Sequence, residues 1–411
     1  MPNYQGVWSL SEQFQAIGDQ NWPMAPGAPT GVSAAAGDTQ ATVSFTAPSF
    51  QGVPPNITGY LATSNPGGFT ATGSASPLTV TGLTNGTSYT FTVQATNGVQ
   101  YGPAGTSGGI TPAVPQRAFF NGGTIGVSPD QSDQIDQFTI TSTGNAADWG
   151  NLTSIQDFGA SMSSSTRGVV FKGRKAGFTT TNEIDYFNLS STGNASDFGD
   201  DIVTQNDMVG ASNSTRGLAA GGSSVINTIR YVTIASTGNA TDFGDMTISR
   251  LSLGAVASPT RACFGGGFND AGAWNYNLDI IDYVTIGSTG NATDFGDLTA
   301  GRNGVAASSS STRGVFFGGN NTNIIDYITI ASTGNATDFG DLSSTSWSGG
   351  ASASGLTRAL VGGTSNNAGN VAYVTIASTG NASDFGDLRL EGGTTIKRSL
   401  SACSNAHGGL S

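Results

Sequence analysis

Residues 303–342 read NGVAASSSSTRGVFFGGNNTNIIDYITIASTGNATDFGDL, and this stretch decides the fold. It divides into four short β-prone runs: GVAASSS, then TRGVFFGG, then IDYITI, then TDFGDL. The connecting Ser, Thr, Asn and Gly supply positive φ and side-chain caps at hairpin turns. Tyr327 and Thr329 alternate with Ile328 and Ile330, which is the period of a strand.

The stretch is one copy of a repeat. The phrase S-T-G-N-A occurs six times, with its glycine at Gly144, Gly193, Gly238, Gly290, Gly334 and Gly380, at spacings of 49, 45, 52, 44 and 46. A period near 47 lies between the ~40–45 and ~50 residues of the known four-stranded propeller blades. Gly and β-branched content excludes helical solenoids. Each copy has a hydrophobic strand ending in Gly-Gly (Gly318-Gly319; Lys172-Gly173 in the second), then an aromatic: Phe138, Tyr186, Tyr231, Tyr283, Tyr327 or Tyr373. A second aromatic follows (Trp149, then Phe198, Phe243, Phe295, Phe339 and Phe385), and an Arg precedes the next copy. This series resembles the kelch repeat, with Phe in place of its usual Trp, and implies a six-bladed kelch-like β-propeller. In that phasing the array starts at Arg117 with a second strand. Leu400–Asn405 (LSACSN) is expected to supply the missing strand beside Ala118–Asn121, closing the ring and removing an open edge.

Upstream of the repeats, residues 1–116 contain no Lys, Arg or His, and a Pro-rich join near Pro112–Pro115 marks a boundary. Pro26–Pro112 carries the strand candidates ATVSFTA, ITGYLAT, LTVTGL and SYTFTVQATN. With APTGVSA, Phe45, Tyr60, Leu83, Gly86 and the Tyr89–Asn97 stretch, it resembles a fibronectin type III domain of bacterial or phage type. In the first 24 residues, Ser9 and Glu12 form a capping box that opens a short helix, with Trp8, Leu10, Phe14 and Ile17 as an apolar attachment stripe. The expected fold class is thus all-β, with an attachment segment at 1–24, a sandwich at 25–113 and a propeller at 117–411.

Composition bounds the chemistry. The 411 residues carry 15 Lys or Arg against 27 Asp or Glu, a net charge of −12, with 61 Gly. Such a balance without a basic patch argues against nucleic acid or an anionic membrane as partner. Neither a signal peptide nor a long apolar run is visible, so neither export nor membrane insertion is expected. Two cysteines make no disulfide framework, and Cys263 and Cys403, on opposite sides of the expected ring, should both be unpaired. One histidine and no Cys cluster leave the zinc spacings unmet, and no cofactor or metal is expected. With three Glu, and Asp residues that mostly recur as repeat positions (Asp294, Asp297), no catalytic constellation stands out, and an enzyme is not expected. The six repeat arginines, Arg117, Arg167, Arg216, Arg261, Arg313 and Arg358, read as structural contacts rather than anion ligands, and the repeat aspartates as turn caps that pair with them.

A short anchor, a sandwich and a terminal propeller, with STGNATDFGDL-like repeats, a G-V-W-S-L start and a following W-P, resemble fibre-like virion proteins of tailed, cyanophage-like bacteriophages. The resemblance implies a virion protein made in host cytoplasm, oligomeric in the particle, joined to other virion proteins through its N-terminal segment, and displaying the propeller for host adsorption or decoration. The competing class is a bacterial surface adhesin or glycan-binding module; a propeller glycosidase is less favoured. Any ligand is expected on the face carrying the length-variable loops between second and third strands. Trp274 and Tyr276 lead the candidates, followed by Phe178, Trp347, Asn320 and Asn321, as aromatic rings for stacking on sugars and amides for their hydroxyls.

Overall fold

The computed structural model describes residues 9–18, 23–125, 131–269, 276–344, 349–363, 369–389 and 397–410. The chain forms two compact units, Met1–Pro115 and Gln116–Ser411.

The first unit holds a helix and a sandwich. Helix Leu10–Gly18 opens on the capping box: Ser9 Oγ and N donate to Glu12 Oε2 at 2.8 and 2.7 Å, and Glu12 N donates to Ser9 Oγ at 3.3 Å. Those bonds hold the Glu12 carboxyl below its ordinary pKa. A three-stranded sheet (Thr30–Ala36, Gln40–Thr46, Leu78–Thr81) faces a four-stranded one in the order Thr70–Gly73, Gly59–Asn65, Thr90–Thr96, Gly105–Thr106. Alternation along Gln40–Thr46 and Thr90–Thr96 sends Val43, Phe45, Phe91 and Val93 into one core with Tyr60, Val80 and Leu83. Phe45 and Tyr60 rings lie 4.6 Å apart, and Tyr89 Oη accepts from Thr84 N at 3.1 Å, a tyrosine corner.

The second unit contains six repeat sheets, each an antiparallel meander. The fifth is representative: Ala306–Ser309, Arg313–Phe317, Ile324–Thr329, Thr337–Asp341. The second gains a fifth strand, Arg174–Lys175. The C-terminal strand Ser401–Ser404 pairs with Arg117–Asn121 in the register Ser401↔Asn121 to Ser404↔Ala118 and so completes the first sheet.

The closed kelch-like propeller of the sequence reading is corrected here. All six are open sheets, and none is closed into a barrel: each hydrogen-bond ladder stops after four or five strands. The motif could not decide this. Diglycine turns and a strand period specify a tight four-stranded meander, but they are silent on whether a ladder ends or continues round a barrel.

Neighbouring sheets meet through side chains and turns. The apolar core is six layers, each shared by two consecutive sheets: Leu218, Ile229 and Phe243 of the third pack on Phe264, Val284 and Ile286 of the fourth, and Phe120 and Phe138 of the first pack on Leu360 and Phe385 of the sixth. The repeated phrase is explained at these junctions. Gly334 N donates to Phe295 O at 2.7 Å, Ala336 N to Asp297 O at 2.7 Å, and Asn335 Oδ1 accepts from Asp297 N at 3.1 Å. The S-T-G-N-A turn of one sheet therefore docks on the D-F-G-D strand of the preceding one. A Cβ on Gly296 would lie 2.6 Å from the backbone of Gly334, so only glycine allows the approach.

The repeat arginines are structural, though not through Asp. Arg261 lies 4.2 Å over the Tyr283 ring and donates to Ile330 O of the next sheet at 2.8 Å, and Arg167, Arg216, Arg313 and Arg358 repeat the arrangement. Among the described residues no ion pair joins a repeat Arg to the D-F-G-D aspartates, which corrects the expected pairing. The first sheet departs. Gln137, not Phe138, stands in the tyrosine register opposite Phe119, so Arg117 lies over Trp149 at 5.2 Å while Phe138 points into the core.

Candidate functional site

The first strands of the six sheets surround a central space whose two ends differ. At the end where these strands finish, serine hydroxyls link sheet to sheet. Ser404 Oγ donates to Ser354 O, Ser354 Oγ to Ser309 O at 2.7 Å, Ser309 Oγ to Ala257 O at 2.7 Å, Ser212 Oγ to Ser163 O at 3.0 Å and Ser163 Oγ to Ser404 O at 2.7 Å. The fourth sheet has Ala257 instead of a serine, and there the C-terminal residues enter. Gly409 packs against Ser212 O and Gly408 against Ala257 O and Ser310 O, so closely that a Cβ on either would clash. His407 anchors this turn. Its Nδ1 accepts from Gly409 N at 3.1 Å, which makes Nε2–H the donor to Ser163 O at 3.0 Å, and burial pushes the imidazole down to about 4.

The opposite end is open, with a cavity of about 200 Å³. Its rim is a set of equivalent residues two positions before each first strand: Phe158, Asp207, Ser252, Gly304, Gly349 and Ser399. All have positive φ, from 53° to 69°, although four are not glycine. Left-handed backbone at Phe or Ser costs of order 1 kcal/mol and persists only where surroundings enforce it. Here the enforcement is a relay of backbone bonds: Phe158 N to Ser399 O at 2.9 Å, Asp207 N to Phe158 O at 2.8 Å, Ser252 N to Asp207 O at 3.4 Å, Gly304 N to Ser252 O at 2.8 Å and Gly349 N to Gly304 O at 3.1 Å. Asp207 Oδ2 accepts from Ser252 Oγ at 2.6 Å. Burial raises the Asp207 pKa, and Asp157 adds to the rise, against the opposing Ser252 bond and Arg174 charge.

Two candidate aromatics from the sequence lie on this end. Phe178 is 40% exposed, and the Arg174 guanidinium sits between its ring at 5.1 Å and the rim ring of Phe158 at 4.5 Å, with both nitrogens of its fork on Asp157 at 2.9 and 2.7 Å. Tyr276 is 57% exposed on the two-stranded ribbon Phe268–Asn269/Tyr276–Asn277. Its neighbour Asn277 accepts from Asn303 Nδ2 at 2.5 Å, and Asn303 lines the cavity. Asn320 and Asn321 are exposed, both at positive φ, with Asn320 N on Asn303 O at 2.8 Å. Trp274 and Trp347 lie outside the described residues. Of the attachment stripe, Leu10 and Phe14 are 72% and 70% exposed, Ile17 is within the helix, and Trp8 lies outside the described residues.

What the sequence reading missed is a set of buried ion pairs just outside this rim. The third-strand residue following Ile, or Val371 in the sixth sheet, is Asp136, Asp185, Arg230, Asp282, Asp326 or Ala372. Asp326 meets Arg302 at 2.5 Å, Asp282 meets Arg250 at 3.0 Å, Asp136 meets Lys397 at 2.6 Å and Asp185 meets Lys172 at 3.3 Å. In the third sheet the signs are exchanged, with Arg230 on Asp201 at 3.2 Å. Burial lowers the pKa of Arg230, Arg250 and Arg302 and raises that of Asp136 and Asp201. Arg250, Arg302 and Lys397 come from segments between sheets, each four residues before a first strand. The one available signal was that basic residues recur there before a buried Asp position.

Among the described residues no cluster of three His, Cys, Asp or Glu is placed to hold a metal, and no helix is long and apolar enough to cross a membrane. Cys263 and Cys403 are both free and buried, which pushes each thiol up to about 12.

Residues 27–107 match the Fibronectin type III domain. No curated protein matches the chain. The shown identity is therefore an N-terminal fibronectin type III domain, itself non-catalytic, in a largely β protein. These findings overturn the tailed-phage virion reading, together with its kelch, tail-fibre and propeller-adsorption designations: what matches is the sandwich, and nothing carries the phage assignment. The physical reason lies in the phrase that prompted it. S-T-G-N-A and D-F-G-D are the two halves of a sheet-to-sheet junction, a packing requirement that carries no lineage.

Proposed function

We propose that the chain is a non-catalytic binding module of the surface-adhesin type, recognising glycans at the open end of the repeat sheets. The observation that carries this reading is that exposed Tyr276 and Phe178, and the amides of Asn320 and Asn321, stand on second-to-third-strand loops at the end where the cavity opens between residues of left-handed backbone. Aromatic faces stack on the apolar faces of sugar rings, and amides bond hydroxyls, so the chemistry suits a polar, ring-shaped ligand. Binding rather than catalysis is supported by the cavity lining, whose described residues include one ionisable group, Asp207, where general acid–base work on a glycosidic bond calls on two carboxyls.

The test is a glycan array probed with the wild-type chain and with Tyr276→Ala/Phe178→Ala. The account expects wild-type binding and at least a tenfold loss in the variant, as truncating stacked aromatics costs more than 1 kcal/mol. Unchanged binding by the folded variant removes these residues from the site, and a wild-type chain that binds no glycan rejects the reading.

A further inference from the structure

Asp207 stands apart within the cavity. Among the described lining residues it is the only charged group, in company with Ser161, Ser252, Ser352, Ser399, Ser401 and Asn303. One of its oxygens is committed, since Oδ2 accepts from Ser252 Oγ at 2.6 Å, while Oδ1 takes no donor from the described residues. The residue is half-buried, and its surroundings desolvate the carboxyl. The nearest cation, Arg174, is already held bidentate by Asp157, so it does not neutralise Asp207 by direct contact. Three more of the lining serine hydroxyls are engaged: Ser161 Oγ bonds Ser401 Oγ at 2.6 Å, and Ser352 Oγ donates to Leu360 O at 2.7 Å. The far end is occupied by the His407–Leu410 turn, so a ligand enters over the rim.

We infer that this cavity receives the ammonium group of an amino sugar, with Asp207 Oδ1 as its acceptor. The inference rests on the glycan reading above and names the saccharide class. A carboxylate in a poorly hydrated pocket gains a short charge-assisted bond from an ammonium. An acidic sugar entering the same space meets a carboxylate and no lining cation, and an N-acetylated sugar offers an amide without charge. The volume of about 200 Å³ is below the ~300–1,000 Å³ of ordinary ligand pockets, so it admits one ring or chain end while neighbouring rings lie over Tyr276 and Phe178.

The experiment is isothermal titration of the full chain with three oligosaccharides of equal length: glucosamine oligomers, their fully N-acetylated counterparts, and glucuronate-containing oligomers. The glucosamine oligomers should bind about tenfold or more tighter than the acetylated ones, with the acidic ones weakest. Asp207→Asn keeps a side chain that tolerates left-handed backbone and can accept from Ser252. It should abolish the preference for the free amine over the acetylated oligomer. Equal affinity of wild type for amine and N-acetyl forms, or preference for the acidic oligomer, overturns the inference while leaving the glycan reading standing. Binding of none of the three overturns both. The wild-type comparison decides the matter even if the variant fails to fold.

Discussion

Replacing Asp326 by Ala tests the buried ion pairs that tie the inter-sheet segments down. Arg302 is fully buried and donates to Gly318 O, Ile324 O at 2.9 Å and Asp326 Oδ2, and its Nε has no partner. Asp326 also accepts from Thr299 N at 3.2 Å and Thr299 Oγ1 at 2.7 Å, so the alanine variant strands a guanidinium and two donors at once. Breaking a buried pair from one side costs about 3–5 kcal/mol. At roughly 2–4 °C per kcal/mol for a unit of this size, the melting temperature should fall by about 6–20 °C. The double variant Arg302→Met/Asp326→Leu removes the stranded guanidinium and should melt above the single variant, although Thr299 N and Oγ1 still lose their acceptor. The molecule supplies its own controls: the third sheet holds the pair with signs exchanged, and the sixth holds Ala372 at the Asp position. Scanning calorimetry of the three proteins is the assay. A single variant that melts within 1 °C of wild type, or a double variant that melts lower than the single one, would refute the reasoning.

Three further outcomes follow from the packing. Gly296→Ala should destabilise by more than 1 kcal/mol, since φ is +142° and the new Cβ meets the Gly334 backbone, whereas Gly287→Ala, with nothing within 4 Å, should be within 0.5 kcal/mol; urea denaturation separates them. His407 is held neutral with a pKa of about 4 against an unfolded value near 6.5, so its contribution is complete above pH 6.5 and is lost as pH falls toward 4. A His407→Gln variant should show a flatter stability profile across that window, and profiles of equal slope would contradict the assignment. Cys263 and Cys403 should resist iodoacetamide at pH 8 in the native protein and titrate as two thiols once denatured, and modification of native Cys403 would mean that the Ser401–Ser404 strand is not seated.

The meanders were legible because their causes are local. Tyr327, Ile328, Thr329 and Ile330 alternate, Gly318-Gly319 turns the chain, and the half-unit left over at Arg117 pointed to Ser401–Ser404 as its partner. The sandwich was legible for the same reason, through the alternation around Phe45 and Phe91. What the sequence did not disclose depends on segments that meet only in three dimensions. Arg302 and Asp326 are distant in the chain and belong to different parts of the repeat. Phe158, Asp207, Ser252 and Ser399 share a backbone conformation and a place on the rim without sharing a residue type, so no motif joins them. Phe178 and Tyr276 were chosen because loop length varies along the repeat, and nothing in that variation marks the rim. Treating S-T-G-N-A as a mark of ancestry was the larger error, since the phrase is fully accounted for by one backbone junction repeated between sheets.

The most direct test of the account is a crystal structure of the chain soaked with a glucosamine oligomer. Sugar density should lie over the rim, with one ring stacked on Tyr276 or Phe178 and the amino group of the innermost ring within hydrogen-bond reach of Asp207 Oδ1. Density confined to the S-T-G-N-A end, or an open-end cavity holding only water at saturating oligomer, would contradict the assignment of this end as the binding site.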